Sequence, residues 1–217
     1  YWWADRMMRS NAPLQEKMAL FWHGHFATGE NKIRDYRKML LQLNTLQANS
    51  LGNFGQLLTK VAQDPAMLAY LDAGENVKGS PNENFGREVM ELFTMGVGNY
   101  TEKDIREAAR AFTGWTSDDK TLKFVVLKDK HDDTPKSFLG KTGNFDGNDI
   151  LAAILEQKVT AEWVGGKIYK YFVREDLTPE LRAKVGTLFR DGKYEIKPLL
   201  TALFLSKDFY SEASVAT

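Results

Sequence analysis

The sequence predicts a mainly α, multi-helix globular domain with a small β-hairpin insertion near residues 121–140. Three observations carry that expectation. Apolar residues recur at helical spacing in most of the chain, as with Phe85, Val89, Leu92 and Phe93. Helix-start signals recur too: Pro13, Asp64-Pro65 and Thr178-Pro179. A strand-like pattern is confined to residues 121–128, where Leu122, Phe124 and Val126 alternate with Lys123, Val125 and Leu127. At 217 residues one domain suffices. It divides into a helical half over 1–115, the insertion over 121–140 and C-terminal helices over 148–210.

In chain order, residues 1–10 are expected to be a helix end and 13–23 a helix. Residues 32–48 form a third, with Ile33, Tyr36, Leu40, Leu43 and Leu46 on its buried face. Asn53 caps a short helix through Phe54, Leu57, Leu58 and Val61, and Asp64-Pro65 opens another. Residues 72–79 are a polar loop. Ser80 and Glu83 make a capping box for the next helix, with Pro81 at its first position and Gly96 as its stop. Thr101 and Asp104 begin the helix after it. Residues 137–140 are expected to pair with the strand at 121–128. Helices then run near 149–157, 161–173, 179–190 and 195–206. The pairs Trp2-Trp3, Met7-Met8 and Phe21-Trp22 are expected in the core, Trp2-Trp3 alternatively as a surface once covered by a preceding segment.

Charge and composition exclude several functions. Lys plus Arg and Asp plus Glu are equal at 29 each, so the balance leaves no footprint for nucleic acid or an anionic membrane. No apolar run is long enough to cross a bilayer. Without cysteine there is no disulfide, thiolate nucleophile or cysteine metal site. No signal peptide is present, and the first residues look like the middle of a helix. The chain is therefore expected to be part of a longer one, with an N-terminal portion among its partners.

Residues 80–115 hold the densest charge beside a buried stripe. At 100° per residue Asn84, Glu88, Glu91 and Met95 form a strip along its edge, and Glu88 lies closest to the apolar face. Carboxylates at i and i+3 have Cβ atoms roughly 5–6 Å apart, near enough to share a cation or a proton. Arg87 can pair with Glu91. On the following helix Ile105, Ala108, Ala109 and Phe112 make the core face, and the small Ala108-Ala109 pair lets another helix come close. Arg106, Arg110 and Thr113 line its flank. Two readings stay open: a charged seam holding two helices together, or a site. In the second, Glu88, Glu91 and His131 are the candidate catalytic residues, and Arg87, Arg106, Arg110 and Asn84 the candidate substrate- or anion-binding ones.

The three histidines supply the candidate metal ligands. If the helix from Pro13 continues, His25 joins the core face and His23 lies outside. If Gly24 breaks it, His23 and His25 share a face, and an H-x-H pair with a carboxylate can bind a divalent metal. The loop carrying His131, Asp132 and Asp133 offers Asp132 as a further ligand, or serves as a plain turn.

Taken together these segments resemble a known bacterial family, domain of unknown function 1800. The resemblance covers nearly the whole chain. It rests on Phe21-Trp22-His23-Gly24-His25-Phe26, Asp64-Pro65-Ala66-Met67-Leu68, Pro81-Asn82-Glu83-Asn84-Phe85 with Arg87-Glu88, and Glu91-Leu92-Phe93-Thr94. It rests also on Gly96-Val97-Gly98-Asn99-Tyr100-Thr101, Ala109-Arg110-Ala111-Phe112-Thr113-Gly114-Trp115, and His131-Asp132 with Lys136. The family usually has Asn between the two histidines, where this chain has Gly24. The resemblance assigns no reaction. It implies a longer, exported protein of the cell envelope with an envelope or sulfatase-like partner. Two functions follow as expectations: a binding or envelope-scaffold module with a buried Glu/Arg/His network, or a metal-assisted or carboxylate-based hydrolase acting on an anionic or carbohydrate substrate.

Overall fold

In the computed structural model, which describes residues 2–215, helices follow one another along most of the chain. They are α1 (Trp2–Arg9), α2 (Pro13–His25), α3 (Glu30–Ile33), α4 (Tyr36–Asn49), α5 (Phe54–Ala62), α6 (Pro65–Tyr70), α7 (Asn84–Glu88) and α8 (Glu102–Ala111). After the insertion come α9 (Gly147–Glu156), α10 (Lys158–Phe172), α11 (Pro179–Asp191), α12 (Ile196–Phe204) and α13 (Glu212–Val215). The expected class is the observed one: mainly α with a small β insertion.

The insertion holds two antiparallel pairs, and its strands pair locally. Strand β1 (Trp115–Ser117) takes β2 (Phe124–Val126), and β3 (Lys136–Phe138) takes β4 (Lys141–Gly143). The expected partner of residues 121–128, namely 137–140, is therefore replaced by the segment just upstream. Asp118 explains why: its carboxylate accepts the N–H groups of Lys120 and Thr121 and closes a tight turn between β1 and β2.

Local chemistry moves two other boundaries. The helix expected over 32–48 breaks at Arg34, whose φ of 50° is left-handed, and Asp35 restarts it by accepting the N–H of Arg37. Its buried face is Gln42, Leu46 and Gln47; Tyr36 and Leu40 are exposed and Ile33 and Leu43 half-buried. The Ser80–Glu83 capping box does not form. Ser80 closes a turn onto Val77, the side chain of Asn76 accepts the N–H of Asn82, and Asn82 accepts that of Asn84, so the helix starts at Asn84. By contrast, the Thr101–Asp104 box is complete, and Asn53 and Asp64 cap as expected.

Two aromatic clusters anchor one continuous core. Trp22 stacks on Phe26 and Phe54, each with ring centroids 5.7 Å away, and donates its indole N–H to Ser50 O. Phe85, Phe112 and Trp115 form the second, beneath the insertion. Helix α7 approaches α8 closely because Gly86 sits over Ala108 and Ala109; a Cβ there would lie 3.3 Å from Ala109 N. Of the expected core pairs, only Phe21-Trp22 is buried. Helix α1 buries nothing fully, and Trp2 and Met8 are exposed.

Candidate functional site

Helix α8 carries the most connected polar cluster. Its capping box points Asp104 and Glu107 toward the insertion, where Asp104 accepts the N–H of Leu139 and Glu107 that of Ser137. Arg110, one turn on, donates Nη1 to both Glu107 oxygens at 3.0 Å and Nε to Asp132 at 2.8 Å. Its Nη2 reaches Thr134 Oγ1 and Pro135 O. Lys136 is buried and donates to the carbonyls of Asp132 and Thr134. Thr113 O lies 2.9 Å from His131 Nδ1, and Thr113 Oγ1 accepts the N–H of Asp132.

These contacts set the local electrostatics. Burial disfavours the charged Asp132, but hydrogen bonds from Arg110 and Thr134 outweigh it and hold the carboxyl well below the usual range. Burial lowers Lys136, with Asp132 pulling the other way. His131 and Asp132 thus tie the loop to the end of α8, and Asp133 pairs with Lys78.

The two glutamates sit elsewhere. After α7 the backbone widens into a π-helix, Val89–Thr94, with Met95 N donating to Met90 O and Thr94 Oγ1 to Val89 O. Glu91 accepts the Tyr100 hydroxyl at 2.6 Å. Glu88 is half-buried and pairs with no cation among the described residues; burial and then neighbouring Glu91 push its carboxyl up. Arg87 turns away from Glu91 to Glu83 and Glu102. Arg106 is exposed, and Asn84 donates to Leu71 O. The expected seam of Glu88 and Glu91 against Arg106 and Arg110 is therefore not formed. The π-turn carries Glu91 to Tyr100, and Arg110 is taken by Glu107 and Asp132.

Helix α2 runs unbroken through Gly24, so His23 and His25 part. His23 packs on Trp3 with ring centroids 5.1 Å apart. His25 is buried among Phe21, Trp22, Phe26 and Phe93. The shared H-x-H face is corrected by this continuity, and Asp132 lies with Arg110 rather than with either ring. No group of three His, Asp or Glu side chains able to hold a metal occurs among the described residues.

His25 belongs to a different constellation. Its Nε2 lies 2.9 Å from Phe93 O, an acceptor, so Nε2 carries the proton and Nδ1 presents its lone pair. Burial and then nearby Lys167 push the ring down to about 3, against the Phe93 carbonyl. Lys167 Nζ donates to Leu92 O at 3.2 Å and lies 3.5 Å from His25 Nδ1 and 4.8 Å from the Trp163 ring centroid. Trp163 Nε1 also donates to Leu92 O. Carbonyls left over at the end of the π-turn are thus satisfied by side chains of α2 and α10. The signal for this cluster lay in the helical spacing of Trp163, Lys167, Lys170 and Tyr171. Glu107 and Tyr100 lay between noted residues without standing out: Glu107 sits one turn from Arg110, but it is the packed backbone that brings Ser137 to Glu107 and Glu91 to Tyr100.

These features define a helical domain whose insertion and helix ends are held by side-chain polar networks. A family model described as protein of unknown function (DUF1800) matches residues 1–217, and the chain belongs to that family. No curated protein and no solved structure matches it.

Proposed function

We propose that this chain is a binding or cell-envelope scaffold module, in which Glu/Arg/His networks keep helices and insertion in register. One observation carries the reading: Arg110 and Asp132, the candidate anion-binding and metal-ligating residues, are spent with Glu107 on holding the β3 segment against α8. Charges satisfied within the fold specify geometry; they are not poised for proton transfer. Export to the envelope, with an envelope or sulfatase-like partner, comes from the family resemblance and is part of this proposal.

The alternative is a carboxylate-based or metal-assisted hydrolase, and Glu88 favours it. It is half-buried, forms no ion pair among the described residues, and is raised by burial and then by Glu91, against the pull of Arg87. Turnover separates the two readings. The purified protein is assayed, with and without added Zn²⁺, Mn²⁺ or Ca²⁺, on p-nitrophenyl phosphate, sulfate and glycosides. The binding-module reading expects no rate that depends on Glu88 or Glu91. Turnover abolished in a Glu88→Gln, Glu91→Gln double variant of unchanged thermal midpoint would replace it with the hydrolase.

A further inference from the structure

The polar network on α8 does not involve the opposite end of the π-turn, where a groove of about 720 Å³ opens between α2 and α10. Its walls are Leu20, Phe21 and Tyr171, its floor His25 and Lys167, and Gly24 lies at its edge. That volume suits a small organic ligand.

The floor has an unbalanced charge. Lys167 has no carboxylate within ion-pair distance among the described residues, although it is half-buried and burial lowers its ammonium. An ammonium has three N–H groups. Leu92 O takes one at 3.2 Å and the His25 Nδ1 lone pair faces another at 3.5 Å. Among the described residues the third meets no oxygen or nitrogen acceptor, only the Trp163 ring with its centroid 4.8 Å from Nζ. His25 cannot compensate the charge, since its proton is on Nε2 against Phe93 O. The surroundings add to the positive potential. Lys17 stands over the Tyr171 ring at 5.3 Å, and Lys170 lines the groove with Glu175 as its partner. Two lysines and one glutamate thus line the groove, with Lys17 beside its Tyr171 wall. A second hollow of about 190 Å³ on the other side of Lys167 is lined by Arg182. A half-buried cation with no carboxylate partner among the described residues, at the base of an aromatic and aliphatic trough, is complementary to an anion with an apolar tail.

We propose that this groove binds a small amphiphilic carboxylate, its head on Lys167 Nζ and its chain along Leu20, Phe21 and Tyr171. The assignment deepens the binding-module reading and rests on it. Gly24 provides a plug that leaves the fold alone: a Cβ there meets nothing within 4 Å, and replacing a helical glycine strengthens the helix.

The test is calorimetric titration of the full chain with octanoate, octanamide and acetate. Octanoate is expected to saturate one site. Octanamide, lacking the charge, and acetate, lacking the tail, should each bind about tenfold more weakly or worse. Lys167→Met and Gly24→Gln should each weaken octanoate by about tenfold or more, and Lys167→Arg should keep part of it. Because Lys167 also ties down Leu92 O, its variant can lose stability; Gly24→Gln cannot do so by that route and keeps the test decisive. Equal affinity for octanamide, octanoate binding indifferent to Gly24→Gln, or no saturable binding overturns the inference. In those cases the binding-module reading stands or falls on the turnover assay alone.

Discussion

Replacing Arg110 by Met keeps most of the buried stem and removes the guanidinium that joins α8 to the insertion. Five hydrogen bonds go: two to Glu107, and one each to Asp132, Thr134 and Pro135 O. The side chains of Glu107 and Asp132 are only 16% and 13% exposed, so both carboxylates would be left largely desolvated without a cation. Removing one member of a fully buried pair costs roughly 3–5 kcal/mol. Arg110 itself is 25% exposed, so water screens part of that loss, and a cost of about 2–3 kcal/mol is the fitting magnitude. For a chain of this size that corresponds to a fall in Tm of roughly 5–10 °C. Differential scanning calorimetry of wild type, Arg110→Met, Asp132→Asn and the double variant measures it. The two changes should couple by about 1–2 kcal/mol. The sign of the pH effect follows from Asp132. Its folded carboxyl is held below the unfolded value near 3.9, so its contribution is present above about pH 4 and is lost as pH falls further. The gap between wild type and Arg110→Met should therefore narrow in strong acid. A Tm within about 2 °C of wild type, or strictly additive variants, would refute the view that this cluster holds the insertion in place.

Two further expectations test the packing around the π-turn. His25 has a folded pKa of about 3, below an unfolded value near 6.5, so the unfolded chain takes up a proton first as pH falls. Wild type should lose about 2 kcal/mol more than His25→Gln between pH 7 and pH 5 in urea melts, and parallel profiles would show that His25 is not held neutral. Asp64 works in the opposite direction: burial raises it to about 6 despite its cap bonds, and its contribution fades as pH rises through that value, so only the difference between variants isolates His25. Gly96 has φ +77°, and a Cβ would lie 2.7 Å from the Trp163 ring. Gly96→Ala should cost about 2–4 kcal/mol from backbone strain and overpacking together, and an unshifted urea midpoint would contradict that.

What could be read from the sequence depended on the range over which each decision is made. Helix existence, the Thr101–Asp104 box and the Asn53 and Asp64 caps are settled within four residues, and they stand as expected. Where local signals compete, the nearest side chain won: Asp35 restarted a helix that apolar spacing alone would have continued, and Asp118 chose the strand partner of residues 124–126. Tyr36 and Leu40 fit a buried stripe in spacing, yet the tertiary contact fell on Gln42, Leu46 and Gln47.

The candidate site shows the same limit more sharply. A strip drawn at 100° per residue assumes an α-helix through Glu91, but the chain takes one extra residue per turn just after Glu88. That single change delivers Glu91 to Tyr100 and leaves Glu88 with no ion pair among the described residues. It also sets the carbonyls of Leu92 and Phe93 within reach of Lys167, Trp163 and His25. Apart from the Glu107–Arg110 pair at i, i+3, the polar partners of Arg110 and His25 lie between 22 and 142 positions away in sequence, so no helical spacing rule could pair them. The residue types were legible because buried charge is costly and therefore conspicuous in an apolar stripe. Their pairing was not, because a carboxylate beside a helix takes whichever cation the packed backbone brings to it, and here the π-turn made that choice. The same turn presents Leu92 O to Lys167 and Phe93 O to His25, so the backbone irregularity that undid the expected seam also holds the two residues at the floor of the proposed groove.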